Sequence, residues 1–221
     1  MQNYQRQIAL KFKLLASFYD LFDLVFRLDR NRNPRYALAR KIPNQPWRIL
    51  DVCAGTGNSA IVVAEANDRN EIIGIDLSAD MIAVAESKIR KRRLGGVRIE
   101  PMDATRMSFQ DGEFDVAMVS FGLHELDYPL MMRILKEMCR VLKDGGKLYI
   151  VDYEREAGVV TNLLFSAYLW LFEPRHMAQF LRYDWTKILL SVGIRVDGVE
   201  KHFFSKLISA TKPCVGVATA P

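Results

Sequence analysis

Three aspartates stand at or just past the ends of successive apolar runs, and a glycine loop follows the first of them. Asp51 lies near the carboxyl end of Trp47–Val52, and Ala54, Gly55, Thr56 and Gly57 come directly after. Ile49, Leu50 and Val52 make a short run rich in β-branched residues, which predicts a buried parallel strand. A strand, a glycine turn and a helix start leave backbone N–H groups free beside a crevice. That arrangement suits a ligand carrying a nucleoside. Asp76 closes the second run about 20 positions beyond the loop, where a carboxylate can accept both hydroxyls of a ribose. After the third run, Asp103 can accept from the exocyclic amine of an adenine, and the Ala104 amide can donate to its ring.

Gly55-x-Gly57-x-x-Ala60 also satisfies the dinucleotide fingerprint, and a nicotinamide-dependent oxidoreductase would use the same loop. Asp51 argues against it. A carboxylate there would meet a pyrophosphate with like charge, whereas it suits a cation such as an amino-acid ammonium or a sulfonium.

These residues need a scaffold, and the chain supplies alternating signals for one. After the strand and loop, Ser59–Ala66 reads as a helix and Glu71–Ile75 as the second strand. Ser78 caps a helix to about Arg93, ended by Gly95 and Gly96. Val97–Glu100 is a third strand, 101–112 a loop, Phe114–Ser120 a fourth strand and Pro129–Leu142 a helix. Asp144-Gly145-Gly146 is a turn before the fifth strand, Lys147–Asp152. Steady βα alternation predicts a parallel sheet covered by helices. Ahead of it, residues 8–31 carry Leu10, Leu14, Leu15, Phe18, Tyr19, Phe22, Val25 and Phe26 at helical spacing, and Pro34 opens a short helix ending near Lys41. Residues 153–192 break the rhythm with aromatic helix, including Phe165, Tyr168, Trp170, Phe172, Phe180, Tyr183 and Trp185. Ile194–Val199 and Phe203–Ala210 read as two antiparallel last strands.

The bulk composition fits. A chain of 221 residues, half of them hydrophobic, suits one globular α/β domain. The net charge is only +5, and the cluster Lys88, Arg90, Lys91, Arg92 and Arg93 sits at a predicted helix end, where cations suit the dipole. No nucleic-acid partner is expected. Cys53, Cys139 and Cys214 form no metal pattern and read as reduced thiols of a cytoplasmic protein. The N-terminal residues lack the features of a signal peptide, and the most lipophilic run, Val159–Phe172, is too short to span a bilayer. Peripheral contact of the aromatic N-terminal helices with a membrane is an alternative to a plain helical cap. The sequence sets no oligomeric state.

D-V-C-A-G-T-G, I-I-G-I-D-L-S-A-D-M, M-D-A-T-R-M-S-F-Q-D-G-E-F-D and E-M-C-R-V-L-K-D-G-G-K-L together resemble the successive motifs of class I S-adenosylmethionine-dependent methyltransferases. Within that class the chain is most similar to the C-methyltransferases of ubiquinone and menaquinone biosynthesis (methyltransferase type 11). Tyr19-Asp20 and V-S-F-G-L-H-E-L resemble two further segments of that family. The resemblance implies a Rossmann-like fold with a mainly parallel seven-stranded sheet, an antiparallel last strand and helices on both faces. In a single domain, residues 1–45 would be a helical cap, 46–152 the cofactor-binding core, 153–192 a helical insertion on the substrate side and 193–221 the final strands. It also implies S-adenosylmethionine as cofactor, S-adenosylhomocysteine as product, and no metal. The cofactor contacts it implies are Tyr19, Thr56, Asp76, Asp103, Ala104 and Ser120, with Gly55 and Gly57 shaping the loop, and Asp51, Ala54, Leu77 and Met81 are expected beside them.

The acceptor expected is a small lipophilic molecule, a quinol or phenol methylated on carbon, with a phospholipid head group or another metabolite as alternatives. A protein that binds the cofactor without turnover is a further alternative. His124, just past the fourth strand, could take the acceptor's hydroxyl proton while the ring carbon attacks the methyl group. A polar-lining or helix-capping histidine is the plain alternative. His124-Glu125 replace the arginine–asparagine usual in the quinone enzymes, and Cys53 replaces a small residue. Glu125 and Tyr153 are lesser candidates, and His176 and His202 read as surface residues in the insertion and a late turn. Aromatic walls from the insertion suit a flat apolar acceptor.

Overall fold

The computed structural model describes residues 33–43, 45–155, 177–202 and 204–214. The chain divides into two compact units, 1–104 and 105–221, taken here one at a time.

In the first unit, helix α1 (Pro34–Lys41) starts at Asn33, whose side chain accepts from the Arg35 N–H at 2.9 Å, with Pro34 where no donor is needed. Strand β1 (Arg48–Val52), helix α2 (Asn58–Ala66), strand β2 (Glu71–Asp76), helix α3 (Ala79–Arg92) and strand β3 (Val97–Pro101) follow. The strands lie in the order β3-β2-β1, all parallel, with Asp51 opposite Gly74 and Gly74 opposite Ile99. Ile49, Leu50, Val52, Ile72, Ile73 and Ile75 are completely buried on both faces, which explains the nearly unbroken apolar runs. Ser78 caps α3 as expected, accepting from the Met81 N–H at 3.3 Å. Gly95 and Gly96 do not end that helix. Arg93 does, in the left-handed conformation at φ 57°. The basic run is the end of α3, with Arg90 and Arg92 paired to Glu86 and Glu65.

The second unit contains β4 (Phe114–Ser120), a 3-10 turn (Leu123–Glu125), α4 (Tyr128–Val141), β5 (Leu142–Tyr153), α5 (Met177–Phe180), α6 (Trp185–Ser191), β6 (Arg195–His202) and β7 (Ser205–Thr211). Its strands lie in the order β4-β5-β7-β6, with β4 and β5 parallel and β7 antiparallel to both neighbours. The expected turn at Asp144-Gly145-Gly146 lies within β5. Gly145 takes φ 77°, and the register with β4 jumps there from Phe114 opposite Leu142 to Val116 opposite Lys147. His202 ends β6 instead of lying in a turn. The aromatic helical stretch is interrupted, because residues 181–184 separate α5 from α6, and Asp184 caps α6 by accepting from the Lys187 N–H at 3.1 Å. The expected N-terminal helices with Tyr19, the aromatic residues 165–172 and His176 lie outside the described residues.

Among the described residues no helix is long and apolar enough to cross a membrane. Cys53, Cys139 and Cys214 form no disulfide.

Candidate active site

After Val52 the backbone turns through three left-handed residues, Cys53 at φ 55°, Gly55 at 54° and Gly57 at 74°. Gly57 precedes α2, and its N–H donates to the Ala54 carbonyl at 2.9 Å. A Cβ on Gly57 would sit 3.0 Å from the Ala85 Cβ, so α3 packs directly on the loop. A Cβ on Gly55 would meet nothing within 4 Å, so it would project into the space above the loop. Thr56 is buried.

Asp76 ties this loop to the end of β2. Its Oδ2 accepts from the Gly55 N–H at 2.8 Å and its Oδ1 from the Ser78 N–H at 2.9 Å. Each oxygen keeps a second lone pair for a ligand hydroxyl. Burial raises this carboxyl above its usual range, opposed by the backbone N–H groups of Ser78, Gly55 and Leu77. Asp76 also takes part through its main chain, its carbonyl accepting from the Met102 N–H at 3.0 Å, which draws the start of the Asp103–Ala104 loop to the same strand end. Ala104 is buried and Asp103 partly exposed. Leu77 is 58% exposed, an unusual place for a large apolar side chain. Met81, by contrast, faces the core.

Asp51 is 1% exposed, and its Oδ2 has no hydrogen-bond partner among the described residues. Burial pushes its carboxyl up to about 7, opposed by the Arg35 guanidinium and the Ala60 N–H and reinforced by the nearby Asp76 carboxylate. Arg35 reaches this place from α1, its Nε donating to Ser59 Oγ at 3.1 Å. A buried carboxylate oxygen without a donor is costly unless a ligand supplies one. A cationic amino-acid group does so. The loop, Asp51, Asp76 and the bare Leu77 thus fit a nucleoside joined to a cationic amino acid, as in S-adenosylmethionine.

In the second unit, Ser120 ends β4, and its buried Oγ has no hydrogen-bond partner among the described residues. His124 lies in the 3-10 turn and is completely buried. Its Nδ1 is 2.7 Å from Asp152 Oδ1, its main-chain N–H donates to Asp152 Oδ2 at 3.3 Å, and Nε2 is 3.8 Å from Glu125 Oε1. Tyr153 and Phe180 pack edge-on to the imidazole, with ring centroids at 4.8 and 6.2 Å. Asp152 was not singled out from sequence. Its signal was a carboxylate inside the otherwise apolar end of a strand.

Solved structures place this fold. A SAM-dependent methyltransferase from Aquifex aeolicus aligns with a TM-score of 0.64 at 22% identity, over 81% of this chain and 89% of that one. The [4+2]-cyclase SpnF aligns with a TM-score of 0.61 at 21% identity, over 80% and 79%. The architecture is therefore the Rossmann-like methyltransferase fold, which also carries other chemistry. The sequence is more specific. The ubiE/COQ5 methyltransferase family matches residues 1–186, and the chain belongs to that family. A demethylmenaquinone methyltransferase of Geobacillus kaustophilus is 35% identical over 66% of this chain and 62% of its own length. The ubiquinone/menaquinone biosynthesis C-methyltransferase UbiE of a Geobacter species is 32% identical over 80% and 76%. The protein is an S-adenosylmethionine-dependent methyltransferase.

Proposed function

We propose that the protein methylates a ring carbon of a quinol-like, lipophilic acceptor. The observation that carries this reading, beside the family, is the completely buried His124–Asp152 pair in an aromatic setting. Residues of the first unit would hold the donor: Asp76 would accept from the ribose hydroxyls, Leu77, Asp103 and Ala104 would bind the adenine, and Asp51 with Ala54–Gly57 would take the cationic amino-acid group. S-adenosylmethionine, when bound, supplies the electrophilic methyl group and leaves as S-adenosylhomocysteine. The Asp152 carboxylate accepts from Nδ1–H and so fixes the tautomer in which His124 Nε2 carries a lone pair. His124 Nε2 then takes the proton of the acceptor's hydroxyl, which raises the electron density at the adjacent ring carbon. Once the new C–C bond has formed, the ring carbon's own proton passes to water, which restores the aromatic ring, and the phenolate oxygen takes its proton back from His124, which frees the base.

The test is transfer of a labelled methyl group to demethylmenaquinol, with phosphatidylethanolamine as the alternative acceptor. Label in the quinol supports the reading. Label in the phospholipid alone overturns it in favour of a head-group enzyme, and binding of S-adenosylmethionine without transfer to any acceptor points to a non-catalytic module.

A further inference from the structure

Two buried donor groups of the second unit keep N–H capacity that the described residues do not use. Lys206, on β7, is 3% exposed, and its Nζ has one hydrogen-bond partner among the described residues, Glu154 Oε2 at 3.2 Å. An ammonium carries three N–H donors, of which the Glu154 contact uses one. Nζ lies 5.6 Å from the Trp185 ring centroid and 6.0 Å from that of Phe180. Trp185 is itself 6% exposed, and its indole Nε1–H has no hydrogen-bond partner among the described residues. Buried donors are almost always paired, so the unmet Trp185 N–H, beside an ammonium with N–H groups to spare, calls for an acceptor from a ligand.

The surroundings narrow the ligand. Phe180, Tyr183 and Trp185 pack edge to face with centroids 5.4, 5.8 and 6.3 Å apart, a wall suited to a flat apolar ring. A phosphate would bring two charges against one lysine already shared with a carboxylate, which the site does not balance. A carbonyl or phenolate oxygen asks only for the donors that are left over. The register places Lys206 opposite Asp152, and Phe180 touches both His124 and Lys206.

We propose that Lys206 Nζ and Trp185 Nε1 form a subsite for a ring oxygen of the aromatic or quinonoid acceptor. The assignment rests on the quinol reading above and adds the residues that select the oxygenated ring. The ammonium favours the oxyanion left when the hydroxyl proton departs, while Glu154 balances the lysine without ligand.

The experiment is calorimetric titration of wild type, Trp185→Phe and Lys206→Met with dimethylnaphthoquinone, with dimethylnaphthalene as the oxygen-free control, and with S-adenosylmethionine. Trp185→Phe keeps an aromatic ring and removes the N–H, so it stands alone if Lys206→Met fails to fold. The expected result is quinone affinity about tenfold weaker in either variant, as for loss of one hydrogen bond, with dimethylnaphthalene and S-adenosylmethionine unaffected. Unchanged quinone affinity in Trp185→Phe, an equal loss for dimethylnaphthalene, or wild type that binds S-adenosylmethionine but no quinone would each overturn the subsite. Quinone binding that depends on Trp185 and Lys206 without methyl transfer to any quinol would keep the subsite and sink the reaction instead.

Discussion

His124 Nδ1 and Asp152 Oδ1 lie 2.7 Å apart, 28 residues separated in sequence and both completely buried. Asp152 grips the turn twice, through the imidazole and through the His124 main-chain N–H, and its Oδ1 also accepts from the Tyr153 N–H at 2.8 Å. A carboxylate fixed at both oxygens holds the ring in one orientation and one tautomer, which a base needs and a merely buried histidine does not.

Replacing Asp152 by Asn keeps the shape but offers an amide that can face the ring with its NH2 group, which favours the tautomer protonated on Nε2. The expected outcome is a kcat lowered by about 10²-fold or more with an unchanged Kd for S-adenosylmethionine, and a comparable loss in His124→Ala. Positioning of two substrates supplies much of methyl transfer, so activity should fall without vanishing. Wild-type kcat in both variants at saturating substrates would reduce the pair to a buried structural contact.

Asp76 gives a separate expectation on the donor side. Its two oxygens anchor Gly55 and Ser78, so Asp76→Ala removes the proposed ribose acceptor and loosens the loop together. Affinity for S-adenosylmethionine should fall by about tenfold or more, read by calorimetry, while the charge-assisted hydrogen bonds lost are of the stronger kind. Asp76→Asn, which can still accept, should lose less. Equal affinity in Asp76→Ala and wild type would move ribose recognition elsewhere.

Much of this donor side was legible because its signals are local. A β-branched run, glycines where the backbone must turn left-handed, and an acid at the next strand end sit within 30 residues of one another, and the structure joins Gly55 to Asp76 directly. Asp51 was read for its charge, but its burial came only with the fold, since β1 is covered on both faces. The acceptor side was less legible. His124 drew notice by its place after β4, yet its partner arrives from β5, and Lys206 from β7. Strand pairing between distant segments brings them together, and no spacing rule in one sequence encodes that pairing. The break at 181–184 leaves little trace in the sequence, because Phe180, Tyr183 and Trp185 keep an apolar rhythm through it and Asp184 is the one local sign of a new helix start.

The proposed contact of Asp51 with the cationic end of the donor makes cofactor binding depend on pH. The folded value of Asp51 near 7 lies above the 3.8 of the free side chain, so folding takes up a proton at intermediate pH. The stability it allows is full below about 4 and is lost as pH rises through 7. Asp51→Asn should therefore be the more stable protein at pH 8, by a few kcal/mol in chemical unfolding, with the advantage gone near pH 4. In wild type a cation beside Asp51 favours the ionised form, so binding S-adenosylmethionine near pH 6.5 should release a proton. That appears as a binding enthalpy that differs between buffers of unlike ionisation heat. Buffer-independent enthalpy would place the cationic end away from Asp51.

Gly57 tests whether the loop geometry itself matters. At φ 74° a side chain is strained, and the new Cβ would stand 3.0 Å from the Ala85 Cβ on α3, with its Cα next at 3.6 Å. Neither atom is a flexible chain end, so α2 or α3 must shift. Gly57→Ala should cost about 1–3 kcal/mol of stability from backbone strain and overpacking combined, measured by urea unfolding, and should weaken S-adenosylmethionine because the amides of the loop move with α2. Gly55→Ala has a similar φ of 54° but open space at its Cβ. It should cost less stability while still weakening the donor, since its methyl group would occupy the space above the loop. If Gly55→Ala bound S-adenosylmethionine as wild type does, the donor would not lie over this loop.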